Sequence, residues 1–142
     1  QPTMAMLGHF LRARPTRDTA VEFEVETFRR ISGPHFDEKE LREAAERSVE
    51  RSFRREGTVR QMVAIAASDD RTAALRTLDI PVHAIAGEDD RALSPDHVRA
   101  IAAAVPGAQL SLIPGAGHLC TVERPAAVND VLVPFIESHR ST

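Results

Sequence analysis

Two short apolar runs, each closed by glycine, constrain the fold of this 142-residue chain more than any other feature. The first covers residues 81–86 and is followed by Gly87; the second covers residues 109–113 and is followed by Pro114 and Gly115. The mostly apolar pattern of the first run is typical of a strand covered on both faces, as in parallel sheets. Between the two runs, Ser94 and Pro95 form a helix start. The order predicts two parallel strands joined by a right-handed helical crossover, with a last helix over residues 126–138.

The chain divides near residue 77, because residues 1–76 carry helix signals only. We expect a helix over residues 2–10, a second capped by Asp18, and a third that begins with the capping pair Asp37 and Glu40 and reaches residue 55. Thr58 is expected to cap a helix over residues 59–67, after a break at residues 56–57, and Asp69 or Asp70 a last one that ends near residue 78.

The apolar stripes of these helices are narrow, which is typical of a lid laid over another structure. We therefore predict a helical cap over residues 1–76 and an α/β core segment over residues 77–142. Pro134 lacks the N–H that a helix interior needs, so we expect a kink or an early break in the last helix.

Composition excludes several classes of protein. Hydrophobic residues make up 42% of the chain and charged residues 27%, as in ordinary globular proteins. No run approaches the roughly 20 apolar residues of a membrane-spanning helix. The net charge of −3 predicts no general attraction to nucleic acid or to a membrane surface. The single cysteine, Cys120, fits a reducing compartment, so we expect a cytoplasmic protein.

Polar residues follow both predicted strands at the point where each strand ends. Asp90 comes three residues after Gly87, and His118 lies at the end of the turn Pro114-Gly-Ala-Gly-His118. The carboxyl ends of parallel strands meet at one edge of a sheet, where open α/β sheets place their sites. A carboxylate beside an imidazole fixes its tautomer and stabilises the imidazolium formed when histidine takes a proton from a nucleophile.

The run IPVHAIAGEDDRALSP…VPGAQLSLIPGAGHLCTVERPAAVNDVL resembles the C-terminal part of an α/β-hydrolase. In that family the acid lies in a G-x-x-D sequence after a strand, and the histidine in a P-G-x-G-H turn after the last strand. The resemblance implies that Asp90 is the acid of a catalytic triad, that His118 is the general base, and that no metal or organic cofactor takes part. Residues 29–78 are similar to the helical cap of esterase-like members, including methylesterases.

The sequence departs from the family pattern at the nucleophile. The family places a serine in G-x-S-x-G ahead of the acid, and none of the serines here has that context. We therefore expect a partial α/β-hydrolase fold, namely the C-terminal portion of a serine-type carboxylic ester hydrolase. The chain alone is expected to be inactive on a small ester-like substrate. The expected partner is a missing N-terminal half, or a second copy of the chain, that covers apolar strand residues left partly exposed: Val82, Ala84, Ile85, Leu110, Leu112 and Ile113.

Three other functions stay open on the sequence. Related folds use an aspartate nucleophile, as epoxide hydrolases and haloalkane dehalogenases do, and the same acid and histidine would then activate water. The chain could instead be a non-catalytic module that dimerises through its sheet edges. The third is phosphate or nucleic-acid binding by arginines over residues 47–60, although interleaved glutamates favour a solvated helix face.

Individual residues also have simpler interpretations. Asp90 could only cap the loop before Ser94, and Asp89 could be the acid in its place. The acids at 88–90 could bind a metal with His118. Cys120 is expected to act as a small buried hydrophobic residue. The remaining candidates are apolar residues that either line an acyl pocket or pack the cap: Met4, Met6, Leu7 and Phe10.

Overall fold

The computed structural model describes residues 15–140 of the chain. After a 3-10 turn at Arg17–Thr19, the elements are α1 (Ala20–Ile31), α2 (Glu38–Arg51), α3 (Arg55–Ala66), α4 (Thr72–Leu75), β1 (His83–Gly87), α5 (Asp96–Ala104), β2 (Gln109–Ile113), α6 (Cys120–Glu123) and α7 (Pro125–Ser138). The predicted helix over residues 2–10, with Met4, Met6, Leu7 and Phe10, lies outside the described residues.

The strand–helix–strand–helix unit predicted from the sequence is present. Strands β1 and β2 pair in parallel, with Ile85 opposite Ser111 and Gly87 opposite Ile113. The core of this unit lies between the sheet and α7, where Ile113, Ala116 and Val128 are buried together. Cys120 packs at the margin of that cluster. Because both strands end at the same edge, the residues that follow them are brought together there.

Helices α1 and α2 pack against each other. Their buried apolar residues form a thin seam: Val25, Leu41, Ala45 and Val49. Outside the seam, exposed ion pairs join the two helices: Arg42 pairs with Glu22, and Arg29 with Glu38 at 2.6 Å. The narrow stripes predicted from the sequence are therefore enough for one helix contact.

The end of α1 contacts the strand unit. Ile31 is buried against Ala92, which follows β1, and its carbonyl oxygen accepts a hydrogen bond of 2.9 Å from the backbone N–H of His118. The helical segment before the strands therefore reaches the edge of the sheet where both strands end.

Several helix boundaries differ from the sequence predictions. Asp18 does not cap α1; the 3-10 turn precedes it, with the backbone N–H of Thr16 donating to the Thr19 hydroxyl at 2.9 Å. Asp37 does cap α2, through the backbone N–H of Glu40 at 3.1 Å. Asp70 accepts from the backbone N–H of Thr72 at 2.9 Å, but the helix that follows is a single turn.

The predicted break at residues 56–57 is wrong, since α2 ends at Arg51, Ser52 has extended backbone, and α3 begins at residue 55. Gly57 lies in the first turn of α3, where its backbone N–H donates a hydrogen bond to the carbonyl oxygen of Arg54 at 3.1 Å. Thr58 is inside the helix and is not its cap. The early break expected at Pro134 is also wrong, because α7 continues to Ser138.

The strands are incompletely covered, as expected for a partial fold. Leu110 is 38% exposed, and Ile85 and Leu112 are partly buried. Ile113 is the exception at 2% exposure, because α7 covers it through Val128. Within residues 15–140, no helix combines the length and hydrophobicity that crossing a bilayer requires.

Candidate active site

Asp90 lies in the tight turn that follows β1. Its Oδ1 accepts hydrogen bonds from the backbone N–H groups of Ala92, at 2.8 Å, and Leu93, at 2.9 Å. These bonds hold the carboxylate against its own loop and leave Oδ2 directed elsewhere. The side chain is 8% exposed. A short acidic side chain that bonds the backbone two or three residues ahead is a common turn device, so the local sequence itself sets this orientation.

His118 lies in the turn that follows β2. Gly115 has a φ of +67°, a left-handed conformation that favours glycine. At Gly117, an added Cβ would lie 2.6 Å from the carbonyl oxygen of Ile31, so this position requires a residue without a side chain. The two glycines let the turn bring His118 between β1 and the end of α1.

Asp90 and His118 are in contact, as the sequence predicts. Asp90 Oδ2 lies 2.9 Å from His118 Nδ1. An ionised carboxylate can only accept, so Nδ1 carries the proton and Nε2 of the neutral ring is left as an acceptor. The imidazole is 35% exposed, whereas the carboxylate behind it is nearly buried. This arrangement can take a proton at Nε2 while the carboxylate stabilises the resulting charge.

The simpler interpretations of this region fare differently. Asp90 does cap its loop, but with one oxygen, and the other oxygen contacts His118. Asp89 is exposed, and its backbone N–H donates a hydrogen bond to the carbonyl oxygen of Ala116 at 2.8 Å. The carboxylate that contacts His118 is that of Asp90. The metal interpretation of Glu88, Asp89, Asp90 and His118 finds no support, because no group of three histidine, cysteine or acidic residues in the described part of the chain is placed to hold a metal ion.

A pocket of about 470 Å³ opens beside His118. Its volume is in the range of small-molecule sites, roughly 300–1,000 Å³. Most of its wall comes from α1 and from the segment after α2. The lining residues are Pro15, Ala20, Phe23, Glu24, Thr27, Phe28, Ile31, Ser52, Phe53, Arg54, His118 and Leu119. The pocket wall is mainly apolar and aromatic, and five of its twelve lining residues are polar or charged: Glu24, Thr27, Ser52, Arg54 and His118.

Two charged side chains, Glu24 and Arg54, contribute to the pocket wall. Burial raises the pKa of the Glu24 carboxyl above its usual value. The sequence did not indicate a site at Glu24, and it offered Arg54 only as one of several arginines that could bind phosphate. Glu24 lies one helical turn before Phe28, and only the packing of α1 against the His118 turn brings this face of the helix to the site.

Glu123 is a second residue that sequence reasoning missed. It is 8% exposed and lies beneath the His118 turn. The sequence shows only an acid between Val122 and Arg124, which gives no sign of burial. One signal was available: Glu123 lies five residues after His118, in a segment where the chain must reverse direction.

Cys120 is partly buried, and burial raises the pKa of its thiol. A thiol held in its neutral form is a poor nucleophile, which agrees with the expectation that Cys120 packs as a small hydrophobic residue. The fold and this edge thus define an α/β protein with a histidine–carboxylate pair beside an apolar pocket.

Comparison with known proteins gives the same class. Residues 2–131 match the model of a family described as the alpha/beta hydrolase family. The pimeloyl-[acyl-carrier protein] methyl ester esterase of Stenotrophomonas maltophilia is 38% identical over 88 residues, which are 62% of this chain and 34% of that protein. The chain belongs to the alpha/beta hydrolase family, and it spans about a third of this curated relative.

Solved structures agree on the fold. The bromoperoxidase from Bacillus anthracis has a TM-score of 0.73 at 16% identity, covering 94% of this chain and 47% of that one. The carboxylesterase CesB (YbfK) from Bacillus subtilis has a TM-score of 0.68 at 16% identity, covering 99% of this chain and 48% of that one. This chain therefore matches a partial α/β-hydrolase fold, about half of each enzyme.

Proposed function

We propose that this chain supplies the acid and the general base of a serine-type carboxylic ester hydrolase. The observation that carries the proposal is the 2.9 Å contact between Asp90 Oδ2 and His118 Nδ1 at the edge where both strands end. Membership of the hydrolase family and the similarity to a methyl ester esterase support it.

The proton path follows from the tautomer. His118 Nε2 accepts the proton of a serine hydroxyl as its oxygen attacks the acyl carbon, and later returns a proton to the leaving alcohol. Asp90 holds the ring through Nδ1 and stabilises the imidazolium between these steps. The bonds from Ala92 and Leu93 to Asp90 Oδ1 fix the carboxylate, so little reorganisation is needed when the ring becomes charged.

The pocket beside His118 suits the apolar part of an ester. Phe23, Phe28 and Phe53 contribute to its wall, and an acyl or aromatic group placed there would put its carbonyl carbon near the imidazole. The apolar lining predicts a preference for esters of medium-length or aromatic acids over acetate esters.

The nucleophile and the oxyanion donors are proposed to come from a complementary half of the enzyme. The described sheet has two strands, with apolar residues such as Leu110 partly exposed. Strand edges and uncovered apolar faces of this kind call for neighbouring strands. An N-terminal half would cover the strands and also supply the serine. A second copy of the chain would only cover the strands.

Assay of the chain alone is the first test. We expect no turnover of p-nitrophenyl butyrate above a His118→Ala control. Light scattering after size exclusion gives the assembly state in the same samples. A monodisperse monomer that melts cooperatively would contradict the complementary-half proposal, and turnover that depends on His118 would show that the chain holds its own nucleophile.

A graft tests the roles of Asp90 and His118. The chain replaces the matching half of the Bacillus subtilis carboxylesterase, whose remaining half brings its own nucleophile. We expect ester hydrolysis that falls on the order of 10³–10⁴-fold in His118→Ala and in Asp90→Asn. His97→Ala, which alters an exposed histidine in α5, is the matched control and should stay within about two-fold, as surface changes usually do. Equal activity in all three variants would contradict the assignment.

A further inference from the structure

The buried carboxylate of Glu123 accepts hydrogen bonds from three backbone N–H groups. Oε2 accepts from Gly33 at 2.7 Å and from Gly117 at 3.0 Å, and Oε1 accepts from Leu119 at 3.2 Å. Gly117 and Leu119 are the two neighbours of His118 in the chain, while Gly33 follows the end of α1. One side chain thus contacts both sides of the histidine and the cap segment.

The backbone around His118 is fully committed to these contacts. The N–H of His118 itself donates to the carbonyl oxygen of Ile31 at 2.9 Å. Three consecutive N–H groups, at residues 117–119, are therefore held by Glu123, Ile31 and Glu123 in turn. Buried backbone N–H groups are costly to leave unpaired, so this segment cannot rotate without losing several bonds.

A carboxylate meets the demand at position 123 better than an amide of the same length. Its two oxygens are both acceptors, whereas a glutamine offers one acceptor oxygen and an N–H₂ that would face an N–H donor. Hydrogen bonds to a charged acceptor are also about twice as strong as neutral ones. Glutamine is therefore close to glutamate in shape but unable to complete the set.

We propose that Glu123 is a positioning residue that couples the seating of the cap segment to the contact between His118 and Asp90. The carboxylate holds the backbone on both sides of His118, so the ring keeps the direction that Asp90 Oδ2 requires. Through Gly33, the same carboxylate ties this direction to the end of α1, which also forms part of the pocket wall. The inference rests on the proposed role of His118 for its catalytic meaning, but not for its test.

The test follows the ring N–H of His118 by proton NMR at low temperature in the 142-residue chain, in the assembly state that light scattering finds for it. Asp90→Ala and His118→Gln identify the resonance, since each removes one partner of the bond. In Glu123→Gln we expect exchange of this ring proton with water to become at least about ten-fold faster, the factor that corresponds to about 1.4 kcal/mol. Glu137→Gln changes an exposed glutamate in α7 and should leave the exchange rate unchanged.

Thermal unfolding followed by circular dichroism accompanies every variant. Faster ring-proton exchange in Glu123→Gln, with wild-type helical content, supports positioning. A lower melting temperature with wild-type ring-proton exchange assigns Glu123 to stability alone and overturns the proposal. Loss of the fold in both Glu123→Ala and Glu123→Gln also overturns it, because the residue would then be needed for folding as a whole. The readout requires no catalysis, so an inactive graft with an intact ring resonance would count against the proposed function alone.

Discussion

The contacts within the α1–α2 pair differ in kind from the contacts that hold the strand unit and its turns. The two helices meet along a thin apolar seam and through exposed ion pairs between side chains. The strand unit is joined to its turns by backbone hydrogen bonds and by glycines that let backbones touch. An added Cβ on Gly87 would lie 2.6 Å from the carbonyl carbon of Ala116, and one on Gly117 as close to Ile31.

The two kinds of contact differ in how well they tolerate substitutions. Long side chains can rearrange around a substitution, and exposed ion pairs contribute little to stability. Where two backbones touch, the backbone atoms cannot move aside, so the position at the contact requires glycine. Close backbone contacts at glycine place the histidine–carboxylate pair. The short motifs around the pair are therefore easy to recognise, whereas the sequence of the helices before the strands is not.

Gly117→Ala should have the largest effect. The new Cβ would overlap backbone atoms of residues 31–33, and we expect a loss of about 3 kcal/mol or more in the free energy of unfolding, at the upper end of overpacking. Urea unfolding measures it, and hydrogen exchange of the His118 N–H reports the local damage.

Gly57→Ala is the matched control for that experiment. Nothing lies within 4 Å of a Cβ at this position, and alanine is the better helix former, so stability should stay equal or rise by up to about 1 kcal/mol. Similar losses in the two variants would show that close backbone approach does not distinguish the strand unit.

Val25→Ala should have an intermediate effect. Val25 is 1% exposed in the seam between α1 and α2, and removing its two methyl groups should cost about 2 kcal/mol. The same substitution at Val63, which is 62% exposed on α3, should change the midpoint of chemical unfolding very little. A negligible cost at Val25 would mean that the ion pairs, and not the seam, join the helices.

Glu24→Gln should have the smallest effect, and its sign depends on pH. Burial raises the pKa of the folded-state carboxyl above the unfolded value, so the folded protein binds the proton more tightly. The carboxyl thus destabilises the fold as pH rises through the unfolded and then the folded pKa. Glutamine should stabilise the protein at pH 7 by well under about 1 kcal/mol, because the group is partly solvated, and the gain should vanish below pH 4.

Thermal unfolding of wild type and Glu24→Gln at pH 3.5 and pH 7 measures this difference. Glu40→Gln, at an exposed position on α2, controls for the loss of one negative charge. Stabilisation of equal size at both pH values would show that the effect comes from shape or packing and not from ionisation.

Much of the strand unit could be predicted from residues alone. The bounds of β2 and α7, the parallel pairing, and the meeting of Asp90 with His118 all follow from local signals: apolar runs closed by glycine, a proline at a helix start, and two polar turns at one sheet edge. These signals act over a few residues, and a parallel crossover then leaves little freedom in where the turns meet. Helix boundaries before the strand unit were less predictable, because Asp18, Gly57 and Thr58 are compatible with more than one helix start.

What the sequence by itself determined is the pair of chemical groups and the edge on which they meet, because each is encoded by a motif of five or six neighbouring residues. The tertiary structure decided the rest of the site. The pocket depends on which face of α1 packs beside His118, and Glu123 depends on a chain reversal that places its carboxylate under three N–H groups from two distant segments. Contacts of this kind join residues up to 90 positions apart, so no local pattern records them. They exist because buried N–H groups require acceptors, and only the folded chain determines which acceptor is near.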